Sequence, residues 1–371
     1  MSRILRMLVF MFIALVLLAG VGIAGLFVVS GGRPVDFVPF VQTTLIRLAL
    51  TGRDADLART ISADATPIRF EVQSGDVPRT ISNRLLDANL IADADLFVDY
   101  VRANDLDVQL EAGVYFLTRA MTIPQIAVSL TDSRSSQFPF RILEGWRMEE
   151  VAAIIDTNPY FGFTGADFLN LVGRGAVVPS DFATLVGLPP GVSLEGFLYP
   201  DTYQIPAQVT PEMLRDILLD TFEQNLTPEI IASAAQQNLT LFEAVSLASI
   251  IQREAVHDDE HGRISSVYRN RLRDGMKLDA DPTVQYAIGA VNGNWWSQIT
   301  QADYTGVISP YNTYLNTGLP PSPIANPGIS AIRAAVFPET TPFFYFRARC
   351  EADGYHNFAR TFEEHVANGC P

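Results

Sequence analysis

The sequence contains few cysteines and few basic residues for a chain of 371 residues. Only Cys350 and Cys370 could form a disulfide, and the sequence leaves open whether they pair or remain thiols. Lysine and arginine number 26 against 41 acidic residues, so the formal net charge is −15. An acidic surface repels phosphate backbones, which argues against nucleic acid as a partner. A neutral or zwitterionic polymer remains compatible with this charge.

Several common catalytic motifs are also missing. The sequence has no G-x-S-x-G, no P-loop, no H-E-x-x-H and no convincing Cys–His pairing. Glu254, His257 and His261 do form E-x-x-H-x-x-x-H, a spacing that can place metal ligands on one helix face. Acidic residues at 258–260 and Gly262 surround these histidines and indicate a solvated loop. We therefore predict no metal and no organic cofactor, and keep a metal-dependent hydrolase as an alternative.

The N-terminus carries the longest apolar run. Residues 7–29 are almost wholly apolar and would span roughly 34 Å as a helix, enough for a bilayer core. Arg3 and Arg6 precede this run, so the positive-inside rule places residues 1–6 in the cytoplasm and the rest outside. We predict an uncleaved single-pass anchor followed by a linker at 30–65. A cleaved signal peptide is the alternative, but the run is long for one.

Short strands and helices are predicted to alternate from residue 66 onward. Ile68, Phe70 and Val72 alternate as in a half-buried strand, and helices are expected near Ile81, at 94–103 and at 122–130, with a strand at 111–117. A similar order recurs about 70 residues later. We interpret residues 66–135 as one strand–helix–helix–strand–helix unit and residues 136–226 as its possible repeat. Chance similarity between small α/β units is the alternative.

The C-terminal part is predicted to be mainly helical, with polar and aromatic loops. Helices are expected at 228–237, 241–255, 262–273 and 329–336, a strand at 343–347, and a last helix from residue 361. Together with the preceding units, these elements predict an α+β fold.

Glu254 is the main candidate for chemistry. Thr240 and Glu243 form a capping box that predicts where its helix begins. Ile250 and Ile251 precede Glu254 by four and three residues and share its helix face. A carboxyl group beside such an apolar stripe is partly desolvated, which raises its pKa and suits a general acid near neutral pH. A solvated glutamate at a helix end is an equally good interpretation of the pattern alone.

Two aspartates form a second acidic pair. Asp279 and Asp281 are two residues apart and could act together as carboxylates. Asp281 also precedes Pro282, a pattern typical of a helix N-cap. We therefore predict that Asp281 caps a helix.

Longer motifs follow one another in order between about residues 66 and 366. They are EGFLYPDTY at 195–203, LASIIQRE at 247–254, VYRNRL at 267–272, LDADPTVQY at 278–286, SPYNTY at 309–314, GLPP at 318–321, IANPG at 324–328, and the set Tyr345, Phe346, Asp353, Gly354, His356 and Phe358. This ordered series resembles the endolytic murein transglycosylases of the MltG (YceG-like) family.

The resemblance implies a domain order and a catalytic residue. It implies a single N-terminal transmembrane helix, a LysM-like module at 66–135 and a mixed α/β catalytic domain at 136–371. The catalytic glutamate of the family motif corresponds to Glu254. Many relatives carry another acid two residues earlier, where this chain has Gln252. An active enzyme would therefore depend on Glu254.

The resemblance also implies a reaction. Glu254 would protonate the β-1,4 glycosidic oxygen between N-acetylmuramic acid and N-acetylglucosamine, then take the C6 hydroxyl proton, leaving a 1,6-anhydro end. One carboxyl group serves both steps. Candidates for binding the substrate or stabilising its charge are Glu195, Asn270, Gln285, Tyr311 and Asn312, and candidates for stacking on sugar rings are Tyr199, Tyr203, Tyr314 and Phe358. Each is equally well explained by packing, and Glu195 could either face Glu254 or hold its own loop.

These expectations place the enzyme in the cell envelope. The catalytic domain would lie in the periplasm on an inner-membrane anchor, cutting peptidoglycan strands and terminating their elongation. Peptidoglycan synthases are possible partners of such a protein. A non-catalytic peptidoglycan-binding scaffold is the second alternative to the transglycosylase.

Overall fold

The computed structural model describes residues 46–48, 50–134 and 136–370. Among these residues, no helix has the length and hydropathy needed to cross a bilayer. The predicted cytoplasmic tail at 1–6, the anchor at 7–29 and most of the linker lie outside the described residues. The described chain is a mixture of helices and short strands, which confirms the mixed α/β character of the predicted fold.

The chain divides into two compact units between Ser136 and Gln137. The described elements of the first unit are α1 (Asp54–Leu57), β1 (Ile68–Val72), α2 (Pro78–Asp87), α3 (Ala94–Ala103), β2 (Gly113–Leu117) and α4 (Ile123–Ser129). Strands β1 and β2 pair antiparallel, with Phe70 opposite Tyr115. Strand β1 buries Phe70 and Val72 and exposes Glu71, as the alternation predicted.

The core of the first unit lies between this strand pair and helices α2 to α4. Ile81, Phe97 and Ile126 are fully buried in it. Tyr115 is also fully buried, and its hydroxyl donates to the carbonyls of Glu111 and Leu130 at 2.6 and 3.1 Å. A buried hydroxyl needs such partners to offset its lost hydration.

The second unit contains the remaining elements. They are β3 (Gln137–Arg141), α5 (Met148–Thr157), α6 (Gly165–Val172), α7 (Ser180–Val186), β4 (Thr202–Pro206), α8 (Pro211–Asn225), α9 (Pro228–Gln236), α10 (Leu241–Glu254), a 3₁₀ turn (Asp258–Glu260), α11 (His261–Arg273), α12 (Asp281–Ile288), α13 (Gln301–Gly306), α14 (Ile329–Val336), β5 (Tyr345–Ala348), β6 (His356–Ala359) and α15 (Phe362–Ala367). Strands β3 and β4 pair antiparallel, as do β5 and β6.

Helix α10 forms the centre of the second unit. Its capping box between Thr240 and Glu243 is present as predicted. The helix is buried on nearly every side from Leu241 to Ile251, including Ser246 and Ser249, and not only along one apolar stripe. The two serine hydroxyls donate to carbonyls of the same helix at 2.8 and 2.7 Å, so their burial leaves no unpaired donor. Helices α11, α12 and α14 pack around α10 and hold its C-terminal end in place.

A disulfide closes the C-terminal part of the chain. Cys350 follows β5, and Cys370 follows α15. Their Cα atoms lie 5.4 Å apart, and the bond joins residues 20 positions apart. It ties the last helix to the β5–β6 hairpin and answers the question that the sequence left open.

Candidate active site

Glu254 is the last residue of α10, and its side chain lines a cleft of about 580 Å³. The chain becomes extended at Ala255, so the helix stops where the carboxyl group reaches the cleft. Helices α11, α12 and α15 and both strands of the β5–β6 hairpin supply the other walls. Segments from residue 254 to residue 365 therefore converge on one half-buried carboxyl group.

The environment of Glu254 favours its neutral form. Loss of hydration raises the pKa of Glu254 from 4.5 to about 7. The Tyr268 hydroxyl opposes this by donating to Glu254 Oε1 at 2.6 Å, while the negative charge of Asp281 raises the pKa further. Arg271 and Arg253 lower it by smaller amounts. Near neutral pH the group can both donate and accept a proton, as a general acid and base must.

Asp281 is a second carboxyl group of this cleft, and its predicted role as an N-cap is wrong. The N-cap position of α12 is Ala280, and Asp281 is the first helical residue. Its Oδ1 accepts the hydroxyl of Tyr314 at 2.6 Å, and the Tyr314 ring stacks on Tyr304 at 4.2 Å. A position in the first turn suits a carboxylate, because the helix dipole favours negative charge there. Pro282 is compatible with this helix start as well, because proline is accepted in the first turn of a helix and Asp281 lies one position later relative to the N-cap than predicted.

Arg271 and Asn270 fasten the floor of the cleft. The Arg271 guanidinium donates to the carbonyls of Phe344 and Leu278, both at 2.7 Å. The Asn270 amide donates to the carbonyls of Thr341 and Phe343, both at 2.9 Å. These bonds join α11 to the segment that leads into β5 and, through Leu278, to the segment before α12. Asn270, a predicted substrate contact, does not line the cleft, and its amide nitrogen is used in these two bonds.

The predicted substrate residue Glu195 does not line the cleft of Glu254. It is fully buried, where its Oε1 accepts the Met148 backbone N–H at 3.0 Å and the Asn326 amide at 3.3 Å. The Asn326 side chain in turn accepts the N–H groups of Gly196 and Leu198. Burial raises the pKa of Glu195 well above its usual range. The arrangement joins the 195–203 loop to the 324–328 loop, which is the second of the two interpretations left open.

The other predicted aromatic contacts divide between the interior and the cleft. Tyr199 and Tyr203 are buried, and the Tyr203 hydroxyl donates to the Tyr199 carbonyl at 2.5 Å. Tyr311 is buried with its hydroxyl 2.5 Å from the Ser322 hydroxyl. Phe358 packs on Phe343 and Phe346 and is also absent from the cleft lining. Tyr314 alone of the aromatic candidates lines the cleft beside Glu254.

The other two predicted amides, Gln285 and Asn312, also hydrogen-bond backbone carbonyls. The Gln285 amide donates to the Ser297 carbonyl at 3.0 Å. The Asn312 amide donates to the carbonyls of Tyr304 and Val307 at 3.0 and 2.8 Å. Sequence reasoning missed most of the actual lining, including Tyr268, Arg271, Tyr304, Tyr345, Arg347 and His365. No local pattern marks these residues, although several lie within the recognised motifs.

The histidines of the possible metal motif have separate partners. His257 Nε2 lies 2.8 Å from the Asp353 carbonyl oxygen, and its ring stacks on Tyr355. His261 is buried, with Nδ1 2.9 Å from the Ser330 hydroxyl. Across the described part of the chain, no group of three or more His, Cys, Asp or Glu side chains is arranged to hold a metal ion.

Comparisons with known proteins agree with one another. The sequence model of the YceG-like family matches residues 70–369. An endolytic murein transglycosylase of Bacillus subtilis is 30% identical over 313 residues, covering 81% of this chain and 83% of that protein. One from Streptococcus pneumoniae D39 is 27% identical over 315 residues, covering 80% of this chain and 57% of the relative. The crystal structure of a yceG-like protein from Listeria monocytogenes is 31% identical, with a TM-score of 0.55 over 81% of this chain and 98% of the other.

Proposed function

The chain belongs to the YceG-like family, and on that basis we propose that it is an endolytic murein transglycosylase that cuts peptidoglycan glycan strands with Glu254 as its acid and base. The observation that carries the assignment of Glu254 is its position in the cleft with a pKa raised to about 7. A lytic transglycosylase is a lyase, because no water is added across the bond that it breaks.

In the first step, protonated Glu254 donates its proton to the β-1,4 glycosidic oxygen. The bond from that oxygen to C1 of the N-acetylmuramoyl residue breaks, and the N-acetylglucosamine part leaves with a free hydroxyl. Positive charge develops on the muramoyl C1 and ring oxygen. Asp281 lines the same cleft and can stabilise this charge, while Tyr268 stabilises the carboxylate that Glu254 becomes.

In the second step, the Glu254 carboxylate removes the proton from the C6 hydroxyl of the same muramoyl residue. The C6 oxygen then bonds to C1 and closes the 1,6-anhydro ring, which leaves Glu254 protonated for the next cycle. The hydrogen bond from Tyr268 limits the basicity of the Glu254 carboxylate, so that Glu254 can give up its proton again in the next cycle. No second catalytic carboxyl group has to activate water.

The cellular setting is also part of the proposal. Residues 7–29 anchor the protein in the inner membrane, and the catalytic domain lies in the periplasm. A disulfide between Cys350 and Cys370 is compatible with an oxidising compartment. The unit at 66–135 acts as a LysM-like glycan-binding module. Cutting near the membrane would terminate the elongation of nascent strands, beside the synthases that make them.

The test uses the full-length chain with purified peptidoglycan and mass spectrometry of the glycan products. We expect new 1,6-anhydro ends from the wild type and none from Glu254→Gln. The matched control is Glu243→Gln on the same helix, because glutamine keeps the capping box with Thr240. New reducing ends in place of 1,6-anhydro ends would indicate a hydrolase. A folded wild type that binds glycan without cutting it would support the scaffold alternative.

A further inference from the structure

The walls of the Glu254 cleft carry charges of opposite sign on different elements. Acidic groups come from the C-terminal end of α10 and from the start of α12, namely Glu254 and Asp281. Basic side chains come from α11, from the hairpin and from the last helix, namely Arg271, Arg347, His356 and His365. The disulfide joins the hairpin and the last helix, so Arg347, His356 and His365 lie on connected elements.

Most charged groups of the cleft already have partners within the protein. Asp279 lies 3.3 Å from the Arg271 guanidinium, and Asp281 accepts the Tyr314 hydroxyl. His356 Nδ1 lies 2.8 Å from a carboxylate oxygen of the fully buried Glu260. In each pair the two groups already contact each other, so they have little hydrogen-bonding capacity left for a ligand.

Arg347 differs from these groups. Among the described residues, no carboxylate lies within 4.0 Å of its guanidinium, and the hydrogen bond that it makes is a long one, 3.4 Å from Nη1 to the His365 carbonyl. Arg349, two residues along the same hairpin, has Asp353 at 3.6 Å. A half-buried cation that has no carboxylate partner among the described residues is notable in a chain with 41 acidic residues, because such partners are abundant.

His365, beside Arg347, has a ring nitrogen without a hydrogen-bond partner among the described residues. This nitrogen, Nδ1, is buried. Burial, followed by the charges of Arg347 and Arg271, lowers the pKa of His365, which favours the neutral ring. A neutral imidazole can donate one N–H to an acceptor. The hairpin and α15 thus place the Arg347 guanidinium in the cleft wall, with the His365 ring beside it.

We propose that Arg347 binds a carboxylate carried by the muramoyl residue of the substrate. The inference rests on the proposed function, since it assigns a binding site within the same cleft. Guanidinium groups bind carboxylates through two parallel N–H bonds, which fixes orientation as well as affinity. The carboxylate is either the lactyl group of a strand without peptide or a carboxylate of the stem peptide. Binding it would orient the muramoyl ring relative to Glu254 and favour muramoyl over purely N-acetylglucosamine polymers.

The experiment compares the full-length wild type with Arg347→Gln on four glycans. They are peptide-bearing strands, peptide-free strands with free lactyl carboxylates, and each of these after conversion of the carboxylates to methylamides. The control variant is Arg349→Gln, which removes an arginine of the same hairpin that does not line the cleft. The readout is KM and kcat for formation of chain ends.

We expect Arg347→Gln to raise KM about tenfold to a hundredfold on a carboxylate-bearing strand, the range for losing a charged hydrogen bond. The amide-capped strand should show no difference between the variant and the wild type, which also shows that the variant is folded. A change confined to peptide-free strands assigns the lactyl carboxylate, and one confined to peptide-bearing strands assigns the stem peptide. Equal KM values for wild type and Arg347→Gln on every glycan would overturn the inference while leaving the transglycosylase intact. A folded wild type that cuts none of the glycans would instead overturn the proposed function.

Discussion

Replacing Tyr268 by phenylalanine should move the pH dependence of the reaction toward higher pH. The Tyr268 hydroxyl donates to Glu254 Oε1 at 2.6 Å and is the strongest influence holding the pKa of Glu254 down. The pKa of Tyr268 itself lies well above its usual value because the ring is buried, so the hydroxyl stays a donor at every pH of interest. Phenylalanine keeps the ring and removes only this hydrogen bond.

The expected size follows from the hydrogen bond. A bond to a charged acceptor contributes about 1.5–3 kcal/mol, and each pKa unit corresponds to 1.36 kcal/mol, which gives a rise of about 1–2 units. Water in the open cleft can replace part of the lost bond, so we expect a rise of about 1 unit. The pKa of Glu254 would then move from about 7 to about 8.

The assay is the pH profile of kcat/KM for new 1,6-anhydro ends, measured from about pH 5 to pH 9.5. Activity requires protonated Glu254, so the alkaline limb should shift upward by about one pH unit in the variant, with little change on the acidic side. An unchanged alkaline limb, or one that moves to lower pH, would refute both the role of Tyr268 and the identification of Glu254 as the titrating acid.

Three further predictions follow from the same geometry. Asp281→Asn should shift the alkaline limb in the opposite direction, to lower pH, because the negative charge of Asp281 raises the pKa of Glu254; an upward shift would contradict this. Glu254→Gln should stabilise the fold at pH 8 by up to about 3 kcal/mol but not near pH 4. Wild-type stability falls as the pH rises from 4.5 through about 7, because the buried carboxyl group must then carry a charge in the folded state; urea unfolding at both pH values measures the difference. Serine at both Cys350 and Cys370 should lower the free energy of unfolding by about 3 kcal/mol, the value for a closed loop of 20 residues, and should raise KM because the cleft wall becomes less rigid. An unchanged urea midpoint in the double variant would contradict the stability prediction, and an unchanged KM would contradict the kinetic one.

Local elements were predictable where their signals lie within a few residues. The helix at 94–103 and the helix at 329–336 were predicted with the bounds that the structure has. The capping box at Thr240 predicted a helix start because the cap and its partner are three residues apart. Strand β6 and helices α7 and α13 were not predicted, since each is short and lacks a clear apolar period.

The candidate site was predictable only in part. Glu254 was singled out from its apolar helix face and from the family motif, and the structure places it in the cleft. The motif residues Glu195, Tyr199 and Tyr203 were candidates either for substrate contacts or for packing, and the structure buries them. A family motif contains both residues that form a site and residues that pack around it, and a sequence alone does not separate the two kinds.

The sequence by itself determined the family, the helices and strands with strong periodicity, and one candidate acid, Glu254, because these depend on short-range patterns and ordered motifs. The tertiary structure decided which groups meet that acid. Tyr268, Asp281 and Arg347 reach the cleft from three different elements, and Arg347 lies 93 positions beyond Glu254 in the chain. The raised pKa of Glu254 and the lack of a carboxylate partner for Arg347 among the described residues both follow from packing, and neither can be read from local sequence.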